Sequence, residues 1–187
     1  SLENGRPEIR AAPDRAQQFL GLTALLAVIL AAVAVGLATR RYVECTSGGT
    51  FTVDDVVAVL DAEPRPKLLA ITGASNVTGW LPPIDAIIDA AHERGVRVFV
   101  DAAQLAPHRP MPANADFVAW SGHKMYAPFG AGVLTGPRAV FAEGDPFLAG
   151  GGAVDLVDLD EVAWTDPPDR EEAGSPNVVG AVALHAA

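Results

Sequence analysis

Cysteine is nearly absent from this chain of 187 residues: Cys45 is the only one. A single cysteine cannot close an internal disulfide, and no Cys/His cluster with metal-ligand spacing accompanies it. The chemistry therefore reads as cytosolic, with no metal site expected. Basic residues are also scarce, 13 against 23 acidic, for a formal net charge of −10. A nucleic-acid partner is not expected, because such a surface needs a basic face. Neither a GxGxxG nor a P-loop pattern follows an apolar run, which removes the usual signatures of a nucleotide-binding α/β domain. Lysine occurs only at Lys67 and Lys124. No internal repeat is visible.

Apolar residues, by contrast, make up 50% of the chain, enough for a sizeable core. They fall into two textures. Residues 19–38 form an uncharged run, FLGLTALLAVILAAVAVGLA, which as a helix would rise about 30 Å and cross a bilayer core. Glu3, Glu8 and Asp14 lie among the arginines before it, a mixed leader that argues against a signal peptide. A buried core helix is the other reading. Arg6, Arg10 and Arg15 precede the run and Arg40 and Arg41 follow it, so the balance of positive charge leaves orientation open.

From about Gly48 the pattern alternates between helix and strand. Thr52 with Asp55 three residues on is a variant capping box before Val53, Val56, Val57 and Leu60, which share a helical face. A buried strand is expected over 68–72. Pro83 suits the first turn of a helix in which Ile84, Ile87, Ile88 and Ala91 recur at helical spacing, with Gly95 closing it. Further strands are expected over 96–100, 117–120 and 132–135. Alternation of this kind predicts a mostly parallel sheet covered on both faces, with ligands at the carboxyl ends of its strands. After Gly136 the pattern weakens. Gly150-Gly151-Gly152 reads as a flexible loop, 155–161 as an exposed acidic stretch, and 178–187 as a final helix.

The chemistry concentrates at two strand ends. Asp101-Ala102-Ala103-Gln104 closes one apolar run. Ser121-Gly122-His123-Lys124 closes the next, followed by a loop of small residues. A lysine amine and an aspartate so placed are what a pyridoxal 5'-phosphate (PLP) site needs: the amine for a Schiff base, the carboxylate to keep the pyridine nitrogen protonated.

SNVTG (75–79), DAAQ (101–104), DFVAWSGHKMYAPFGAGVL (116–134), GGG (150–152) and EAGSPN (172–177) together resemble, in order and spacing, the class V aminotransferase family of PLP enzymes. That family includes cysteine desulfurases, selenocysteine lyases and kynureninases. The resemblance covers about residues 48–187. It implies an α/β fold, the large-domain fragment of a PLP-dependent transferase of fold type I. It also implies a role for each matching position. Lys124 would be the Schiff-base lysine and proton shuttle, and Asp101 the partner of the pyridinium nitrogen. Gln104 would bond the cofactor's phenolic oxygen, Ser121 and His123 its phosphate, and Asn76 the substrate carboxylate. Ser175 would reach the phosphate of a partner subunit's cofactor, which implies a homodimer acting on an amino-acid substrate. His92, His108 and His185 carry no motif and read as structural. Cys45 is not matched to the desulfurase cysteine, which lies late in the family's chain.

Residues 1–44 resemble instead a membrane helix of FtsX-like ABC-transporter permeases. The expected domains are thus a permease-like segment, 1–44, and a partial PLP-binding domain, 45–187. A chimera of two gene pieces is the preferred explanation and a genuine fusion the alternative. The resemblance also places outside the matching stretch a phosphate-cradling turn, a ring stacked on the cofactor, and a substrate-binding arginine. The chain is therefore expected to hold the lysine half of a PLP site, to bind PLP weakly alone and not to turn over. Transamination and desulfurase or lyase chemistry share these residues and stay open. So does a non-catalytic domain anchored to the membrane by residues 19–38; otherwise the enzyme domain is expected in the cytoplasm.

Overall fold

The computed structural model describes residues 40–187, so the uncharged run at 19–38 lies outside the described residues. No helix among the described residues is long and apolar enough to cross a membrane. Val43–Ala187 forms one compact unit.

Its first helix, α1 (Val53–Ala62), begins at the expected capping box. The Asp55 N–H donates to Thr52 Oγ1 at 3.2 Å, and the Thr52 N–H donates to Asp55 Oδ2 at 2.8 Å. Two N–H groups that a helix start leaves without partners are thereby satisfied. The Thr52 hydroxyl, together with the Thr52 N–H, also holds the Asp55 carboxyl below its ordinary pKa. Val56 and Leu60 face the core. Strand β1 (Leu68–Thr72) follows, then α2 (Ile84–His92), which buries Ile84, Ile87, Ile88 and Ala91. Pro83 sits at the N-cap and not inside the first turn. Beyond α2, Gly95 adopts φ +70° and its N–H returns to the His92 carbonyl at 2.9 Å. This left-handed turn, cheap for glycine, swings the chain into β2 (Arg97–Asp101).

Strands β3 (Phe117–Ser121) and β4 (Gly132–Thr135) complete a sheet of order β1-β2-β3-β4. The first two pairings are parallel and β3–β4 is antiparallel. Mostly parallel is therefore correct, and the exception follows from the short connection, which permits only a reversal. Asp101 pairs with Thr72 on one side and with Ala119 on the other, so it closes its strand as expected.

Side-chain alternation divides the sheet. One face presents Ile71, Val98, Val100 and Val118, all buried in a single cluster with the apolar stripes of α1 and α2. The opposite face presents Leu68, Ala70, Phe99, Phe117, Ala119 and Leu134 by register. Coverage of both faces was expected. Among the described residues the two helices cover only one face; on the other, Phe141 meets Phe117 edge-on with ring centroids 6.3 Å apart, while Leu68 is 53% and Leu134 52% exposed. The physical reason is that α1 and α2 both pack on the same side.

The C-terminal portion holds elements that the sequence pattern does not announce. A short helix α3 (Arg138–Ala142) precedes a two-stranded antiparallel ribbon of β5 (Val154–Val157) and β6 (Val162–Trp164). The stretch expected to be only an exposed acidic loop thus supplies a strand, although its side chains are exposed as expected. The glycines expected to be a flexible loop are tied down: the Gly174 N–H donates to the Gly151 carbonyl at 2.7 Å. A 3₁₀ turn at Asp169–Glu171 carries the one buried charged residue among those described, Arg170. Its guanidinium donates to the carbonyls of Ala142 and Gly144, fastening the turn to the end of α3. Helix α4 (Val178–Ala186) ends the chain.

Candidate active site

The carboxyl ends of β1, β2 and β3 carry nearly every residue singled out above. Adjacent parallel strands lie about 4.8 Å apart, so the pairing of Asp101 with Ala119 sets Asp101 and Ser121 on the same sheet face at neighbouring strand ends. The backbone around Asp101 is held from both sides. The Gly73 N–H donates to the Asp101 carbonyl at 2.7 Å, and the Ala102 N–H to the Ala119 carbonyl at 2.8 Å. One carboxylate oxygen, Oδ1, accepts the Ala103 N–H at 2.9 Å. Oδ2 is left available on an exposed residue, as a group meeting a ligand's protonated nitrogen must be.

Spacing between β2 and β3 is fixed at their other ends by Asp116. Its Oδ2 accepts the Val98 N–H at 2.8 Å and lies 2.8 Å from His92 Nε2. Burial alone would raise the Asp116 pKa, but the bonds from His92 and the Val98 N–H together outweigh it and lower the pKa.

Lys124 ends a 3₁₀ turn, Gly122–Lys124, directly after β3. The turn is tightly made. The Gly122 N–H donates to the Ala131 carbonyl at 2.8 Å, and the Met125 and Ala127 N–H groups both donate to the Gly122 carbonyl, at 2.8 and 3.1 Å. Gly122 is buried and Lys124 half-buried. The lysine makes no ion pair with any described residue, so its amine is free for chemistry. Tyr126 follows at φ 65°, a left-handed conformation uncommon for a side chain of that size and one that the surrounding structure must hold in place. The His123 ring stacks on Phe129, centroids 4.8 Å apart and planes at 20°.

Asn76 and Gln104 meet across a cavity of about 270 Å³ between the loops that follow β1 and β2, lined also by Ser75, Leu81, His108 and Arg109. Asp101, Ser121, His123 and Lys124 belong to the neighbouring strand ends and not to this lining. Ser175 is exposed in the segment before α4. That segment is joined to the lysine loop by Asn177, whose Nδ2 donates to the Gly130 carbonyl at 3.0 Å while its Oδ1 accepts the Gly180 N–H at 3.0 Å. Asn177 lies inside the EAGSPN motif but was given no role. Its signal was the ordinary one of an asparagine before a helix. Arg109 and His108 had none, since the concavity they line arises from two loops far apart in sequence.

The donor set fits PLP: an unpaired amine for the aldehyde, a carboxylate with a free oxygen for the ring nitrogen, an amide for a phenolic oxygen, and a hydroxyl and an imidazole for a phosphate. A mostly parallel α/β sheet with lysine and aspartate at adjacent strand ends defines a class of PLP-type protein. The chain belongs to the aminotransferase class-V family, whose pattern matches residues 23–187. The match thus begins inside the uncharged run, upstream of Gly48. A probable cysteine desulfurase of Vibrio cholerae is 44% identical over 124 residues, covering 65% of this chain and 31% of that protein. A cysteine desulfurase of Klebsiella pneumoniae is 41% identical over 154 residues, covering 80% and 37%. Among solved structures, the cysteine desulfurase CsdA from Escherichia coli superposes with a TM-score of 0.70 at 37% identity, over 77% of this chain and 36% of that one. The apo cysteine desulfurase from Thermococcus onnurineus gives 0.69 at 35% identity. The chain therefore spans about a third of the length of the relatives it matches.

Proposed function

We propose that this chain carries the lysine half of a PLP-dependent site acting on an amino acid, with cysteine desulfuration or lysis the favoured chemistry and transamination the alternative. The observation that supports it is the placement of Asp101 and Lys124 at the carboxyl ends of adjacent parallel strands in a class-V chain. The relatives named cysteine desulfurase favour the desulfurase branch.

When bound, PLP supplies an aldehyde that captures an amine and a ring that takes up electron density. The chain's own groups do the rest. Lys124 Nζ anchors the cofactor and then holds and returns the proton of the substrate carbon. Asp101 Oδ2 contributes a fixed negative charge that favours a proton on the ring nitrogen. Gln104 orients the ring, Ser121 and His123 donate to the phosphate, and Asn76 turns its amide to the substrate carboxylate. Ser175 serves a partner subunit's site, which makes the working unit a homodimer. The enzyme domain works in the cytoplasm, with residues 19–38 available for membrane association. The uncharged run supports a second reading, a catalytically inactive, membrane-anchored chain.

Asp101→Asn in the protein extended to its relatives' length separates these. Cofactor attachment should survive, because it needs only Lys124. Turnover of L-cysteine should collapse, because a neutral amide supplies no charge to the ring nitrogen. Alanine formation, with sulfide released by an added thiol reductant, against conversion of L-cysteine to its keto acid in the presence of an added keto-acid acceptor then distinguishes desulfuration from transamination. Wild-type turnover by the variant overturns the role given to Asp101.

A further inference from the structure

We propose that Asn177 is a positioning residue for Lys124, holding the loop 125–131 in the shape that presents the lysine, a role that rests on the proposed function for what Lys124 does.

The loop is joined to the lysine turn through Ala131, whose carbonyl accepts the Gly122 N–H at 2.8 Å. The residue before it, Gly130, has φ +89°. Glycine enters that region as readily as its mirror image, so nothing in Gly130 itself fixes where its carbonyl points. Asn177 supplies the constraint: its Nδ2 donates to the Gly130 carbonyl at 3.0 Å, across 47 positions of sequence. Among the described residues no other side chain from outside the loop hydrogen-bonds to it. The same amide is anchored at its other end, where Oδ1 accepts the Gly180 N–H at 3.0 Å and caps α4. Asn177 therefore cannot swing away from Gly130 without uncapping the helix. Space is as restricted as the bonds. Gly180 is buried, and a β-carbon there would meet the Asn177 amide, within 2.8 Å of its Cγ, and stand 3.1 Å from the Ala131 β-carbon. The start of α4 thus packs on the very residue that bonds Gly122. On the other side of Gly130, Phe129 stacks on the His123 ring. One amide therefore fixes the point from which the chain runs one way to the partner of His123 and the other way to the partner of Gly122. Lys124 adjoins His123 in the turn so held.

Asn177→Asp separates the two halves of the amide. A carboxylate caps a helix as well as asparagine does, but it has no donor for the Gly130 carbonyl. Gly180→Ala reaches the same bond from the helix side without adding charge. Relief of the added carbon displaces the Asn177 amide, although alanine is the better helix former. The 187-residue chain is labelled with PLP and cyanoborohydride. Peptide mapping then gives the ratio of label on Lys124 to label on Lys67, an exposed lysine outside the loop. Amide hydrogen exchange over 122–131 is measured without cofactor. Both variants should lower the label ratio about threefold or more and speed exchange over 122–131 by a like factor, the size of one ordinary hydrogen bond. Exchange over β1 and β2 should not change. A wild-type label ratio, or wild-type exchange over 122–131, in Asn177→Asp would overturn the proposal. So would a ratio lowered by Asn177→Asp alone, which marks added charge, or exchange quickened equally over β1 and β2, which marks a loss of packing at large. A wild-type chain unlabelled at Lys124 fails the proposed function instead, and the exchange measurement still decides whether Asn177 holds the loop.

Discussion

Replacing Gly122 by alanine tests whether the turn presenting Lys124 is as closely fitted as its hydrogen bonds imply. An added β-carbon would stand 2.9 Å from the Ala131 carbonyl oxygen and 3.3 Å from the Ala131 β-carbon. The first contact is with backbone, which cannot rotate aside as a side chain would. That same oxygen accepts the Gly122 N–H, and the Gly122 carbonyl holds two further N–H groups. Relief therefore means lengthening several hydrogen bonds at once or opening the β3–β4 ladder where Ser121 pairs with Gly132. Overpacking of this kind costs about 1–3 kcal/mol. With a urea dependence of roughly 1–3 kcal/mol per molar, the unfolding midpoint should fall by about 1 M. Gly151→Ala is the matched control. Nothing lies within 4 Å of its added carbon and its φ is not left-handed, so it should change stability by less than about 0.5 kcal/mol. The assay is urea denaturation followed by circular dichroism, with PLP attachment to Lys124 as second readout. Coincident midpoints for Gly122→Ala and Gly151→Ala would refute the reasoning.

Two further outcomes follow from the packing. Thr52→Ala removes the hydroxyl half of the α1 capping box and should cost about 1 kcal/mol, read as a lower urea midpoint. Asp116 has its pKa lowered in the folded chain, so it contributes stability that is present above its unfolded value, about 3.9, and is lost as pH falls through the folded value. Melting temperature measured from pH 7 to pH 3 should therefore fall less steeply at the acid end in Asp116→Asn than in wild type. The slope will not vanish, because Asp55, Asp61 and Asp158 are lowered too.

How much was legible follows the range of the forces involved. The Thr52–Asp55 cap and the stripe Ile84, Ile87, Ile88, Ala91 are local patterns, and the structure has both. The strands ending at Asp101 and Ser121 were readable because a buried parallel strand is a continuous apolar run. β5 gives no such signal because Val154-Asp155-Leu156-Val157 lies between a glycine run and the acidic stretch 158–161 and its strand is exposed, so no burial alternation marks it. α3 has five residues, too few for a helical period to show. The open sheet face could not be foreseen, since the side on which α1 and α2 dock is decided by tertiary packing. The cavity beside Asn76 and Gln104 has the same origin: Arg109 sits between His108 and Pro110, and only the meeting of two loops gives it a wall to line.

Borohydride reduction of the PLP-loaded chain, followed by peptide mapping, addresses the assignment of Lys124 most directly. The chain offers only Lys67 and Lys124 as side-chain amines. Lys67 lies exposed just before β1, at the amino end of that strand, whereas Lys124 follows the carboxyl end of β3. The phosphopyridoxyl label should fall on the peptide carrying Lys124 and spare Lys67. A label on Lys67, or an unlabelled Lys124, would contradict the reading of this chain as the lysine half of a PLP site.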